Sequence, residues 1–176
     1  MTTGQELLQE LALEAQVTRR YLEKVPFERA DFKPHEKSER LDHLAIHVAE
    51  IVAWWKECVD NDELNFIDFK QKEIKSTPEL LSYFDGLLAD SVGALSKVSE
   101  AELERDWSMT HGEDVLFTLK KKQVLRIFCM NHLIHHRSQL GVYLRLLDVP
   151  VPAAYGPSAD DEDVILITPF DRAPDR

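Results

Sequence analysis

The sequence predicts an all-α protein: a four-helix bundle with long crossover connections. Two observations carry this. Four long segments repeat apolar residues at helical spacing, and no stretch shows convincing strand alternation. The connections between the segments are longer than the tight loops of a simple up-down bundle.

The first helix is expected from about Gln5 to Val25. Thr3 is placed as its N-cap, and Pro26 ends it. A polar stretch, 28–37, leads to Ser38, read as the cap of a second helix reaching Val59. Leu41, Leu44, His47, Ile51, Trp54 and Cys58 form its stripe. The loop 60–65 follows, and Phe66, Ile67 and Phe69 are expected to anchor the connection against the bundle. Thr77-Pro78-Glu79 opens the third helix, which runs to about Val98. Ser99 caps a short turn, 100–105. The stretch 107–119 reads equally as a hairpin or a docked loop, with His-Gly-Glu-Asp at 111–114. The fourth helix runs from Lys121 to Leu147, stopped by Val149-Pro150-Val151-Pro152. Residues 1–160 are expected to form the domain. In the irregular tail, 161–176, Val164-Ile165-Leu166-Ile167 is expected to dock.

The chain has 176 residues, enough for one domain with a sizeable core. Its formal net charge of -11 argues against nucleic acid or an anionic membrane as the main partner. No signal peptide and no bilayer-length apolar run are visible, so a cytoplasmic location is expected. Cys58 and Cys129 sit inside helical patterns and read as buried thiols in a reducing compartment.

The chemistry concentrates in Asn131-His132-Leu133-Ile134-His135-His136-Arg137. His132 and His136 are one turn apart on one face of a helix, within reach of one ion. At 100° per residue they lie about 40° apart, in line with Leu125, Cys129 and Tyr143, which reads as the apolar stripe. His135 falls at its edge, and Arg137, about 140° round, falls outside. In the second helix His47 is at the centre of the stripe and His43 one turn away. Three buried imidazoles carry six ring nitrogens, and each unmet one costs about 1–3 kcal/mol. One metal ion would satisfy three. Three protein ligands with an open position is the arrangement of catalytic rather than structural zinc.

Imidazole also suits nickel, iron and copper; zinc or nickel is the expected ion. The open position would take hydroxide for hydrolysis, or a thiolate for transfer. His-Glu-x-x-His is absent, so that motif places no general base. Glu50 reads as a solvated residue or a second acceptor behind His47. Cys129 reads as a core filler or a ligand, and Tyr143 as a packing or substrate-orienting residue. His35 and His111 are expected to be solvated.

These segments resemble the DinB/YfiT-like family of four-helix-bundle proteins. The likeness rests on Leu44-Ala45-Ile46-His47-Val48-Ala49-Glu50, on His132-Leu133-Ile134-His135-His136-Arg137-Ser138-Gln139-Leu140 with Tyr143-Leu144-Arg145, and on 149–160. Ser138 stands where many members have glycine. The resemblance implies a divalent metal held by His47, His132 and His136, with no role for His43 or His135. It implies a homodimer, with which an exposed Trp55 is compatible. It also implies an S-transferase activity using a low-molecular-weight thiol such as bacillithiol or mycothiol. A small-molecule thiol and an electrophile are therefore the expected partners. A metal-dependent hydrolase, or a non-catalytic metal-binding or interaction bundle, are the alternatives.

Overall fold

The computed structural model describes residues 1–162. Helix α1 spans Thr3–Leu22. Its cap is Thr2, not Thr3: the Thr2 hydroxyl accepts from Gln5 N and the Gln5 amide oxygen accepts from Thr2 N. Leu7, Leu11, Ala15, Thr18 and Leu22 form its buried face.

The second long segment is two helices, α2 (Leu41–Ile51) and α3 (Ala53–Asp60). Ser38 does not cap it; Arg40 holds the cap position, with no side-chain bond. The break falls at Val52, whose carbonyl accepts a hydrogen bond from the buried Ser91 hydroxyl at 2.6 Å. A partner from another helix thus satisfies the group that the break frees. Trp55, expected at the surface, is fully buried.

Helix α4 spans Thr77–Leu95, with Ser76 rather than Thr77 at the cap and Pro78 in its first turn. Helix α5 (Glu100–Leu103) is capped by Ser99, as expected. The fourth long segment is continuous but not uniform. A short α6 (Lys121–Gln123) runs into a seven-residue π-helical stretch (Val124–Met130) and then α7 (Asn131–Leu146).

The all-α reading needs correction. The fold is mostly helical, but β1 (Glu63–Asn65), β2 (Asp106–His111) and β3 (Asp114–Lys120) make a three-stranded sheet in that order. β2 and β3 are an antiparallel hairpin turning at Gly112, whose φ is 63°. β1 adds to β2 in parallel. Trp107 and Met109 of β2 point inward and join a core with Trp55, Cys58, Leu7 and Leu11. A second core gathers α2, α4, α7 and the C-terminal half of α1.

Helix α1 packs on α4 and α7, and α2 packs on the same two, while α1 and α2 scarcely meet. The second long segment, α2 with α3, packs on the α4 that follows it, whereas α1 packs on α4 rather than on its immediate successor α2.

Phe66, Ile67 and Phe69 do not anchor their connection. They are 36%, 54% and 57% exposed, and Ile74 is the residue of that segment that is buried in the core. Among the described residues no helix is long and apolar enough to cross a membrane. The segment Val164–Ile167 lies outside the described residues.

Glu50 is neither solvated nor behind His47. It is buried, and its Oε1 accepts from Lys72 N at 3.1 Å and the Tyr83 hydroxyl at 3.4 Å. Oε2 has no hydrogen-bond partner. Burial raises its pKa above the usual carboxylate value of 4.5. The folded state therefore holds this proton where the unfolded chain has lost it. Stability from this group is full below pH 4.5 and falls as pH rises through the folded value. Glu50→Gln is expected to raise the urea midpoint at pH 7 and to converge on wild type toward pH 4. Equal offsets at both pH values would contradict this.

Candidate metal centre

Helix α2 brings His47, and α7 brings His132 and His136, to one point. Each offers a ring nitrogen, and the three atoms lie within 4.8 Å of one another. Nε2 of His47 and Nε2 of His132 are 3.3 Å apart. Two nitrogens bound about 2.0–2.1 Å from one tetrahedral ion sit roughly 3.3–3.4 Å apart, so this pair has the spacing of two ligands. The ring centroids of His136 are 4.6 Å from both other imidazoles. Three histidines this close could bind a divalent metal.

All three are half-buried. Burial pushes His47 and His132 down to about 4, and the neighbouring His136 adds to both shifts. His136 is also lowered by burial, against a hydrogen bond to Gln139 that favours its charged form. At neutral pH the three rings are therefore neutral, with lone pairs free for an ion.

One flank is aromatic. Trp54 of α3 stacks on Phe128 of the π-helical stretch at 5.1 Å and 13°. Trp54 also meets His47 at 5.8 Å and His132 at 5.1 Å edge-on. The opposite flank opens on a cavity of about 670 Å³, to which His47 and His136 contribute. Lys37, Ser38, Glu39, His43, Gln71, Gln139 and Tyr143 supply its other polar groups, with Leu44 and Val142 beside them.

His47, His132 and His136, the three imidazoles expected to converge, do lie together, but not on the face expected of α7. His136 lies on the cavity wall and His132 against the aromatic flank of Trp54 and Phe128. The core face of α7 carries Leu133, Arg137, Leu140 and Leu144. Arg137, expected outside, is 2% exposed.

His43 is exposed and bonds Glu39 through Nδ1 at 3.0 Å; it is not in the triad. The backbone N–H of Arg40 and the bond from His43 hold the Glu39 carboxyl below its usual range. His135 is exposed and meets His136 edge-on at 4.8 Å. His35 and His111 are exposed, as expected.

Cys129 is fully buried and outside the triad, and burial pushes its thiol well up. Burial pushes Cys58 up to about 12. Tyr143 lines the cavity, and its hydroxyl donates to Glu39 O at 3.0 Å. The sequence reading missed Gln71 and Gln139. Gln139 could have been found from its spacing of three after His136; Gln71 comes from an irregular connection and left no signal.

The sequence profile of the DinB family matches residues 1–167. Two solved structures share the fold. A DinB-like protein from Bacillus subtilis has a TM-score of 0.65 at 21% identity, over 81% of this chain and 92% of that one. A DinB-like protein from Bacillus cereus has a TM-score of 0.62 at 18% identity, over 84% and 94%. No curated protein matches the chain.

Proposed function

Because the chain belongs to the DinB family, we propose that it is a metal-dependent S-transferase working in the cytoplasm. In this reading His47, His132 and His136 hold one divalent ion, zinc or nickel, beside a cavity that takes a low-molecular-weight thiol and an electrophile. The observation that carries this is the open triad: three convergent imidazoles, no fourth protein donor in the group among the described residues, and a cavity on one side. A structural ion would be closed by four protein ligands. When bound, the ion supplies Lewis acidity, lowering the pKa of a thiol from about 8.5, or that of water, toward neutrality.

The rest falls to the chain's own side chains. Neutral imidazoles leave the positive charge of the site uncompensated, so an anionic sulfur is favoured there. The stacked Trp54 and Phe128 keep water from one flank. Glu39, His43, Gln71 and Gln139 offer hydrogen bonds to a polar thiol, and Leu44 and Val142 offer contact to an apolar electrophile. Transfer itself joins sulfur to an electrophilic carbon: the thiol loses its proton, and the leaving group departs with its electron pair. The two free, buried cysteines fit a reducing compartment.

The test has two parts. Metal content is measured on protein purified without chelator, and conversion of a chlorodinitrobenzene is followed with and without added cysteine. Stoichiometric metal and thiol-dependent turnover are expected. Turnover of activated esters without thiol would replace transfer with hydrolysis. Metal without any turnover would favour a binding module. No metal, together with an unchanged His132→Ala protein, would end the reading.

A further inference from the structure

We propose that Gln139 is the positioning residue of the metal centre, fixing the tautomer and ring angle of His136 through its side-chain oxygen; this rests on the metal-binding reading above. Gln139 Oε1 lies 2.7 Å from Nδ1 of His136. An amide oxygen only accepts, so Nδ1 is the protonated nitrogen and Nε2 keeps the lone pair. A ligating imidazole commonly donates its other N–H to such an acceptor, which holds the ring in place and makes it a better ligand.

The three imidazoles are not held alike. Trp54 packs edge-on against both His47 and His132, and Phe128 against His132. Among the described residues no hydrogen bond reaches Nδ1 of either ring. These two are set by packing. His136 lies outside that aromatic flank and beside the open cavity; its ring neighbours are the other two imidazoles at 4.6 Å and the exposed His135 at 4.8 Å. No aromatic wall sets the angle of that ring, and ring packing alone does not choose its tautomer. The hydrogen bond that His136 Nδ1–H donates to Gln139 Oε1 fixes both before any ion arrives.

The arrangement is local in sequence. His132, His136 and Gln139 follow one another at spacings of four and three, so one helical ridge carries two imidazoles and the group that orients the second. Gln139 also lines the cavity, and its amide NH2 has no partner among the described residues. That group is left to meet whatever enters.

An ordinary surface pair at this spacing would leave metal affinity unchanged. The distinguishing experiment is zinc affinity by chelator competition, together with the imidazole 15N shifts of His136 in metal-free protein. Gln139→Leu is expected to bind zinc about 10–100-fold more weakly and to show a mixture of tautomers at His136. Gln139→Glu retains the acceptor and is expected to bind zinc at least as tightly as wild type, with the single tautomer kept. Gln139 is exposed, so both proteins should fold. Wild-type zinc affinity and an unmixed tautomer in Gln139→Leu would overturn the proposal. If wild type itself took up no zinc, the metal reading would fail instead, and the tautomer measurement would still decide for or against the role of Gln139.

Discussion

Arg137→Met is expected to lower the stability of the fold by about 3–5 kcal/mol, read from equilibrium urea unfolding. The guanidinium is buried, and both of its terminal nitrogens are hydrogen-bonded. Nη1 donates to Glu14 Oε2 at 2.6 Å, to Glu14 O at 3.2 Å and to Thr18 Oγ1 at 3.2 Å. Nη2 donates to the Tyr155 hydroxyl at 2.6 Å, and that hydroxyl donates to Glu14 at 2.8 Å. Methionine would fill much of the volume yet leave the Glu14 carboxylate buried without its counter-charge. The loss comes mainly from that stranded charge, not from the attraction itself, because bringing both ions out of water already offset much of their gain. The double change Arg137→Met with Glu14→Met should therefore recover most of the stability. A single variant within about 1 kcal/mol of wild type would mean that water reaches Glu14.

This network also shows where sequence reading stops. Arg137 contacts Glu14 from 123 positions away and Thr18 from 119. A charge on a helix face reads as outward unless its partner is known, and nothing local names the partner. The histidine pair was legible for the opposite reason: a spacing of four is a property of one helix. His47 was legible as an inward position because its helix is apolar around it. The role of the face was not. On α7 the leucines of the core lie roughly 80–120° round from His132, while Tyr143 and Leu125, themselves buried, drew the expected core face toward the histidines.

The π-helical stretch explains part of that error. Its wider turns change the phase between Leu125 and His132, so a uniform 100° step cannot carry a face across it. The Val52 break was hidden because apolar residues continue on both sides of it. The hairpin was half visible in His-Gly-Glu-Asp, where Gly112 takes the positive φ of the turn. Strand β1 was not visible at all, since three residues pairing in parallel with a strand more than 40 positions on leave no periodicity. Phe66, Ile67 and Phe69 were misplaced because apolar character alone does not bury a residue.

Zinc is expected to stabilise the folded protein by about 2.7 kcal/mol at a free concentration 100 times its Kd, and about 4.1 kcal/mol at 1,000 times. For a chain of this size that is a Tm rise of roughly 5–16 °C. The rise follows from binding the folded state alone: the unfolded chain keeps His132 and His136 near each other but separates both from His47. His132→Ala removes the ligand whose Nε2 faces that of His47, and should lose nearly all of the rise. The effect should also fade in acid. The folded values of His47 and His132 are about 4, below the usual 6.5, so between these limits the unfolded chain binds more protons than the folded one. Metal-free stability from these groups is therefore full above pH 6.5 and is lost as pH falls toward 4. Over the same window protons increasingly compete with zinc for the nitrogens. Thermal scans at pH 7.5 and pH 5, with and without zinc, on wild type and His132→Ala, separate these effects. An equal Tm rise in both proteins would place the zinc elsewhere, and no rise in wild type would show that three imidazoles at this spacing do not hold an ion.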